Sequence, residues 1–108
     1  MPEINVSELM DKIPSYFNAE AARGVNAQIQ FSLTGNQAGE WTMLIKDQSC
    51  SVEKGEVVDP NLTLKADAVL AAQILMGEVD GMRAYLMGKL KLVGDLSLAM
   101  KIAKYFNV

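Results

Sequence analysis

Residues 84–106 read AYLMGKLKLVGDLSLAMKIAKYF. A mostly apolar helical end stops at Gly88, a four-residue alternating strand follows at Leu90-Lys91-Leu92-Val93, and Gly94-Asp95 opens a second apolar helix. The polar stripe of that last helix holds only Ser97, Lys101 and Lys104, spaced four and three apart. Leu96, Leu98, Ala99, Met100, Ile102, Ala103, Tyr105 and Phe106 take the rest of its circumference. A surface helix ordinarily carries an apolar arc of roughly 100° or a little more, and this one exceeds it. The surplus must face a deep core, a partner or a lipid.

Working outward, the segment before this stretch is also helical. Asp67–Met76 and Asp80–Met87 each open on an aspartate and carry mostly apolar residues, with Gln73 the single polar residue in 68–76. Further upstream the period changes to 2. Val25–Thr34 places Ile29, Phe31 and Leu33 on one side, Trp41, Met43 and Ile45 alternate with Thr42, Leu44 and Lys46, and Cys50 and Val52 alternate with Ser51 and Glu53. Leu62-Thr63-Leu64-Lys65 is a fourth strand and Leu90–Val93 the fifth, with turn formers at 35–39, 47–49, 54–56 and 59–61. At the start, Ser7 is the expected N-cap of a helix carrying Leu9, Met10, Ile13, Tyr16 and Phe17, with Pro14 near its end; 18–22 is a further helical turn stopped by Gly24. One apolar face per strand predicts a mostly antiparallel sheet, packed on one side and wet on the other. Helices separate from the strand runs indicate α+β, with the helices layered on one sheet face. No repeat or linker interrupts the 108 residues, so residues 1–108 are expected to form one domain.

Composition narrows function chiefly by what is missing. The chain has no histidine and one cysteine, so it lacks the usual general base, Cys/His zinc sites and histidine-dependent nucleophile triads. Neither standard Gly-rich phosphate loop is present. No catalysis, metal or cofactor is expected. Half the residues are hydrophobic and 21% charged, a soluble globular composition. The acidic N-terminus is unlike a signal peptide, Cys50 stands alone, and the C-terminus Phe106-Asn107-Val108 is not a Ser-Lys-Leu address. A cytoplasmic location is therefore expected. The net charge of −3 hides a gradient: residues 1–82 hold twelve acids against five bases, and residues 83–108 hold five bases against Asp95. That end suits anionic head groups or phosphates, or else places solvated lysines at a helix C-terminus. The basic face is too weak for nucleic-acid binding.

The helices bring more apolar side chain than one sheet face requires. Either everything interdigitates in a close-packed core, the usual outcome, or an apolar cavity remains between the layers. Seven methionines suit an adaptable binding surface and serve equally as gap fillers. Gln73 is either an internal anchor for a head group or a residue in water. Trp41 belongs to the core or to a cavity mouth, and Cys50 is a small strand hydrophobe.

Taken in order, these residues resemble the sterol carrier protein 2 (SCP-2) sterol-binding domain family, as a stand-alone microbial-type member. The resemblance rests on Phe31-Ser-Leu-Thr-Gly35, Gly39-Glu-Trp41 with Lys46-Asp47, Val52, Gly55, Pro60-Asn-Leu-Thr-Leu64 and Met76-Gly77. Above all it rests on Ala84-Tyr-Leu-Met-Gly-Lys-Leu-Lys-Leu-Val-Gly-Asp95 followed by Leu98-Ala99-Met100. Asp47-Gln48-Ser49 departs from the family's frequent Asp-Gly turn. The resemblance implies a five-stranded sheet, helices on one face, and an apolar tunnel that binds and transfers fatty acids, fatty acyl-CoA or sterol-like molecules. The expected lining is Phe31, Leu33, Trp41, Met43, Ile45, Leu70, Gln73, Ile74, Met76, Met82, Tyr85, Leu86, Leu92, Met100, Ile102 and Phe106. Arg83, Lys101 and Lys104 are the expected head-group contacts. The alternative is an accessory module, docking its greasy helix on an enzyme of lipid or quinone metabolism or touching a membrane transiently.

Overall fold

The structure is a computed structural model that describes residues 5–106; the readings made of the two chain ends, at 1–4 and 107–108, and of the Ala103 side chain lie outside the described residues. The chain opens with α1 (Val6–Lys12) and a 3₁₀ turn (Ile13–Tyr16), then runs through β1 (Ala27–Thr34), β2 (Gly39–Lys46), β3 (Ser49–Lys54) and β4 (Leu62–Asp67). It continues as α2 (Ala68–Leu75), α3 (Gly81–Leu86), β5 (Leu90–Gly94), α4 (Leu96–Ile102) and a closing 3₁₀ turn (Ala103–Tyr105). Asn5, rather than Ser7, caps α1: its Oδ1 accepts the Glu8 amide at 3.0 Å. Asp67 and Asp80 cap α2 and α3 in the same way, each satisfying amides that have no partner inside the helix.

The five strands form one sheet in the order β3-β2-β1-β4-β5. Every neighbouring pair is antiparallel except β1–β4, which is parallel. Register stacks like on like: Ile29 faces Met43, Phe31 faces Trp41 and Leu64 faces Leu92. The core side is therefore a continuous apolar surface, with Ile29, Phe31, Met43, Ile45 and Leu62 wholly buried. The opposite side carries Gln28, Ser32, Thr42, Lys46 and Lys65. Gln30 is the buried exception there. Its Nε2 donates to Glu40 and to the Gly55 carbonyl, and its Oε1 accepts the Val57 amide at 2.8 Å. Those bonds offset its desolvation and pin the β3–β4 connection to the sheet.

Helices cover the core side unevenly. The first 3₁₀ turn packs on β3, α2 on β1 and β4, α3 on β5, and α4 on β4 and β5, while α1 rests on α2. Two glycines set the angles at which α3, β5 and α4 meet. Gly88 takes φ +76° just past α3; its amide reaches the Tyr85 carbonyl, and the Lys89 amide reaches that of Ala84, the paired closure a left-handed residue permits. Gly94 takes φ +112°, and a Cβ there would run into the Asn61 backbone. Asn61 is the knot at that end of the sheet: it exchanges two hydrogen bonds with Gln28 and accepts the Asp95 amide at 2.8 Å. The two ends of the described chain also meet. Phe17 and Phe106 form a β-bridge with ring centroids 5.8 Å apart, and the Asn18 amide donates to the Tyr105 carbonyl.

Candidate functional site

Over β4 and β5 the helix layer does not close. A cleft of about 290 Å³ opens there, floored by Leu62 and Leu64 of β4 and Leu90 and Leu92 of β5. Its walls are Ile74 of α2, Asp80, Gly81, Met82 and Tyr85 at α3, and Leu96, Ala99, Met100 and Ile102 of α4. Each contribution follows from local sequence. Alternation in Leu62-Thr-Leu64 and Leu90-Lys-Leu92 sends the leucines to one face. On α3, Met82 and Tyr85 are three apart, and on α4, Leu96, Ala99 and Met100 are three and four apart, so each group forms one stripe. Gly81 lets α3 begin close to α2: a Cβ there would lie 3.1 Å from the Ile74 side chain. The hollow persists because α3 has six residues and α4 seven, too little side chain to fill the span between them.

The expected lining divides. Ile74, Met82, Tyr85, Leu92, Met100 and Ile102 come together around the cleft. Phe31, Leu33, Trp41, Met43 and Ile45 do not: they are buried on β1 and β2, outside the lining. Leu70, Gln73 and Met76 are half-buried on or beside α2 and outside the lining, and Phe106 is buried against Phe17. Leu86 points outward, 76% exposed. Arg83, Lys101 and Lys104 are exposed and none belongs to the lining. The apolar surplus thus gathers at the mouth, where Met82, Tyr85, Leu96 and Met100 both line the cleft and reach solvent, with Leu86 and Met87 exposed alongside.

Sequence reasoning missed Leu62, Leu64, Asp80, Gly81, Leu90, Leu96 and Ala99 as lining. The leucines carried a usable signal, since they share the apolar faces of strands already recognised. Asp80 did not, because an N-cap aspartate has the same local signature whether or not a hollow lies beside it. Two further features bear on chemistry. Burial pushes the Cys50 thiol up to about 11, which keeps it protonated and inert at neutral pH. Among the described residues no group of three or more His, Cys, Asp or Glu is placed to hold a metal ion, and no helix is long and apolar enough to cross a membrane.

Similar proteins share this architecture. The chain is 30% identical over 105 residues to hydroxysteroid dehydrogenase-like protein 2 of Xenopus laevis, covering 92% of this chain and 24% of that protein. It therefore spans about a quarter of the length of the curated relatives it matches. Among solved structures, the sec-alkylsulfatase Pisa1 from Pseudomonas sp. superposes with a TM-score of 0.85 at 14% identity, over 97% of this chain and 17% of that one. Sterol carrier protein 2 like 2 of Aedes aegypti superposes at 0.71 and 21% identity, over 92% of this chain and 91% of that one. The same mosquito protein in a palmitated form superposes at 0.70. At these identities the structures share the fold. Residues 7–107 match the model of the SCP-2 sterol transfer family, and the chain belongs to that family.

Proposed function

We propose that this chain is a non-catalytic lipid-binding module that takes an apolar chain into the cleft between β4–β5 and α3–α4 and passes it on. The observation that carries the reading is the cleft itself: Leu62, Leu64, Leu90 and Leu92 floor a hollow that α2, α3 and α4 wall but do not fill. About 290 Å³ sits at the lower edge of the roughly 300–1,000 Å³ of small-molecule pockets. At about 30 Å³ per water-sized group it holds about ten such groups. Ten methylenes at about 0.8 kcal/mol each give about 8 kcal/mol before ordering costs, in the range of micromolar binding. Membership of the family supports the reading, and so does the palmitated form of the mosquito protein.

The test is native mass spectrometry of the freshly purified protein, followed by titration with an uncharged fluorescent lipid. A lipid-mass adduct, or saturable uptake by the monomer, is the expected result. Bare protein that refuses the probe removes the reading. A second reading then leads: a module docking on an enzyme of lipid metabolism through its exposed apolar residues. It is favoured by Leu86 and Met87, 76% and 61% exposed outside the cleft, and by the fraction of the longer relatives that the match spans. It predicts self-association or co-elution with such an enzyme in place of lipid uptake.

A further inference from the structure

Six of the ten large apolar side chains that reach solvent among the described residues stand together: Met82, Tyr85, Leu86 and Met87 on and just after α3, and Leu96 and Met100 on α4. Cations are interleaved with them. Arg83 precedes Leu86 and Met87 by three and four residues, so the three share one stripe, and Lys104 follows Met100 by about one turn. Arg83, Lys101 and Lys104 are exposed, and among the described residues none of them forms an ion pair. The acids at the starts of α3 and α4 are engaged locally, Asp80 by the amides of Met82 and Arg83 and Asp95 by that of Leu98. Strand order extends this to the whole molecule. β5, with α3 and α4 packed against it, is one edge of the sheet, and β3 is the other. Residues 83–108 carry a net +4 and residues 1–82 a net −7, so the positive charge is concentrated where the apolar residues are exposed. The first helix offers no rival face: α1 carries Glu8 and Asp11 against Lys12, and its Val6 and Met10 are buried.

Resting on the lipid-binding reading above, we propose that the cleft mouth is a docking face for an anionic lipid bilayer, with Leu86, Met87 and Met100 entering the interface and Arg83, Lys101 and Lys104 meeting its head groups. Charge decides between the occupants of such a face. A second copy, placed by a two-fold axis, would set the same cations against each other. An anionic bilayer complements them and asks no fixed shape of the flexible methionine and leucine side chains. The chain's net charge of −3 disfavours approach in other orientations, so the polarity turns the mouth toward the surface. Docking there also spares an apolar ligand any passage through water, since it moves from the cleft straight into another apolar medium.

The experiment is cosedimentation of the chain, without added ligand, with vesicles of phosphatidylcholine alone and of phosphatidylcholine and phosphatidylglycerol in equal parts. Wild-type protein should pellet with the anionic vesicles at low salt, stay in solution with the neutral ones, and detach as salt rises. Lys101→Glu with Lys104→Glu should weaken that binding by about tenfold or more. Leu86→Gln with Met87→Gln, both good helix formers at exposed positions, should weaken it by about tenfold. Lys12→Glu on α1 should leave it within about threefold. Should the glutamate pair unfold the short α4, Arg83→Gln supplies an independent loss of charge on α3. Binding that is absent, equal on the two vesicle types, or unchanged in both paired variants overturns the proposal. A dimer in light scattering that the Leu86 and Met87 substitutions dissolve gives the face to a second copy and overturns it as well. Uptake of an uncharged fluorescent lipid from solution, read on the same samples, separates the two readings. Uptake without docking overturns this proposal alone, whereas loss of uptake removes the lipid-binding reading and the delivery role with it.

Discussion

Met82 and Phe31 are both large apolar side chains on the inner side of the molecule, and their surroundings make opposite demands on them. Phe31 is fully enclosed on the central strand, so Phe31→Ala should cost about 3–5 kcal/mol through lost burial and a cavity, read as a lowered denaturation midpoint. Met82 is 45% exposed at the cleft wall. Met82→Trp therefore has room to fold, and its added bulk should cut uptake of an uncharged fluorescent lipid by about tenfold, since overfilling a packed site typically costs 1–3 kcal/mol. Met76→Trp, outside the lining, is the matched control and should leave uptake unchanged. Loss of uptake in both variants would move the site away from the α3 wall. Cys50 makes a prediction of a different kind. With its thiol raised from 9.0 to about 11 by burial, its thiolate fraction near neutral pH falls by about 100-fold, and alkylation should slow accordingly relative to unfolded protein. The sign of the linkage follows: the protonated thiol favours the folded state fully below pH 9, and that contribution fades as pH rises toward 11.

Among the elements, β5 and α4 depend on a single backbone corner. Gly94 combines a left-handed φ with close approach to the Asn61 backbone. Gly94→Ala should destabilise by at least about 1–3 kcal/mol, visible in a denaturant titration, whereas substitution at Gly24, where nothing lies near a Cβ, should cost only the strain of its φ. Elements of this kind were largely legible in the sequence. Period-2 alternation identified all five strands, the aspartates at 67 and 80 opened α2 and α3, and Gly88 closed the latter. The start of α1 was less so, because Asn5 and Ser7 are both good caps and only the placement of the chain decides that Asn5 takes the Glu8 amide. The burial of Gln30 was not legible at all. Alternation assigns it to the wet face, and what covers it is a connection more than twenty residues away.

At the scale of the whole molecule, the sequence told which residues face inward but not where along the sheet they stand. Alternation gives a face, and lateral position comes only from strand order. That is why Phe31, Met43 and Leu92 looked equivalent as lining, although the first two are buried away from the cleft and the third floors it. The charge gradient, by contrast, was visible directly and has a global consequence. Arg83, Lys101 and Lys104 are exposed on the two helices and turn that flank the cleft. Lys101→Glu with Lys104→Glu should slow delivery of an uncharged ligand to anionic vesicles by about tenfold or more at low salt, at about 1 kcal/mol per cation near such a surface. Affinity for the same ligand in solution should stay within about twofold. A matching loss in solution would show that these lysines act through the cleft or through stability.

One further consequence follows from the lengths of the cleft walls. Helices of six and seven residues are well below the roughly 12–15 at which a helix holds itself together in water. They persist only by leaning on the leucine floor, and the floor beneath them is partly uncovered. The molecule therefore has a stiff half at β1–β2 and a compliant half at α3–α4. Amide hydrogens of the two short helices should exchange with solvent faster than those of the central strands, and should slow once the hollow is filled. On the lipid-binding proposal, a guest would enter by displacing these two short helices while the sheet beneath stays still.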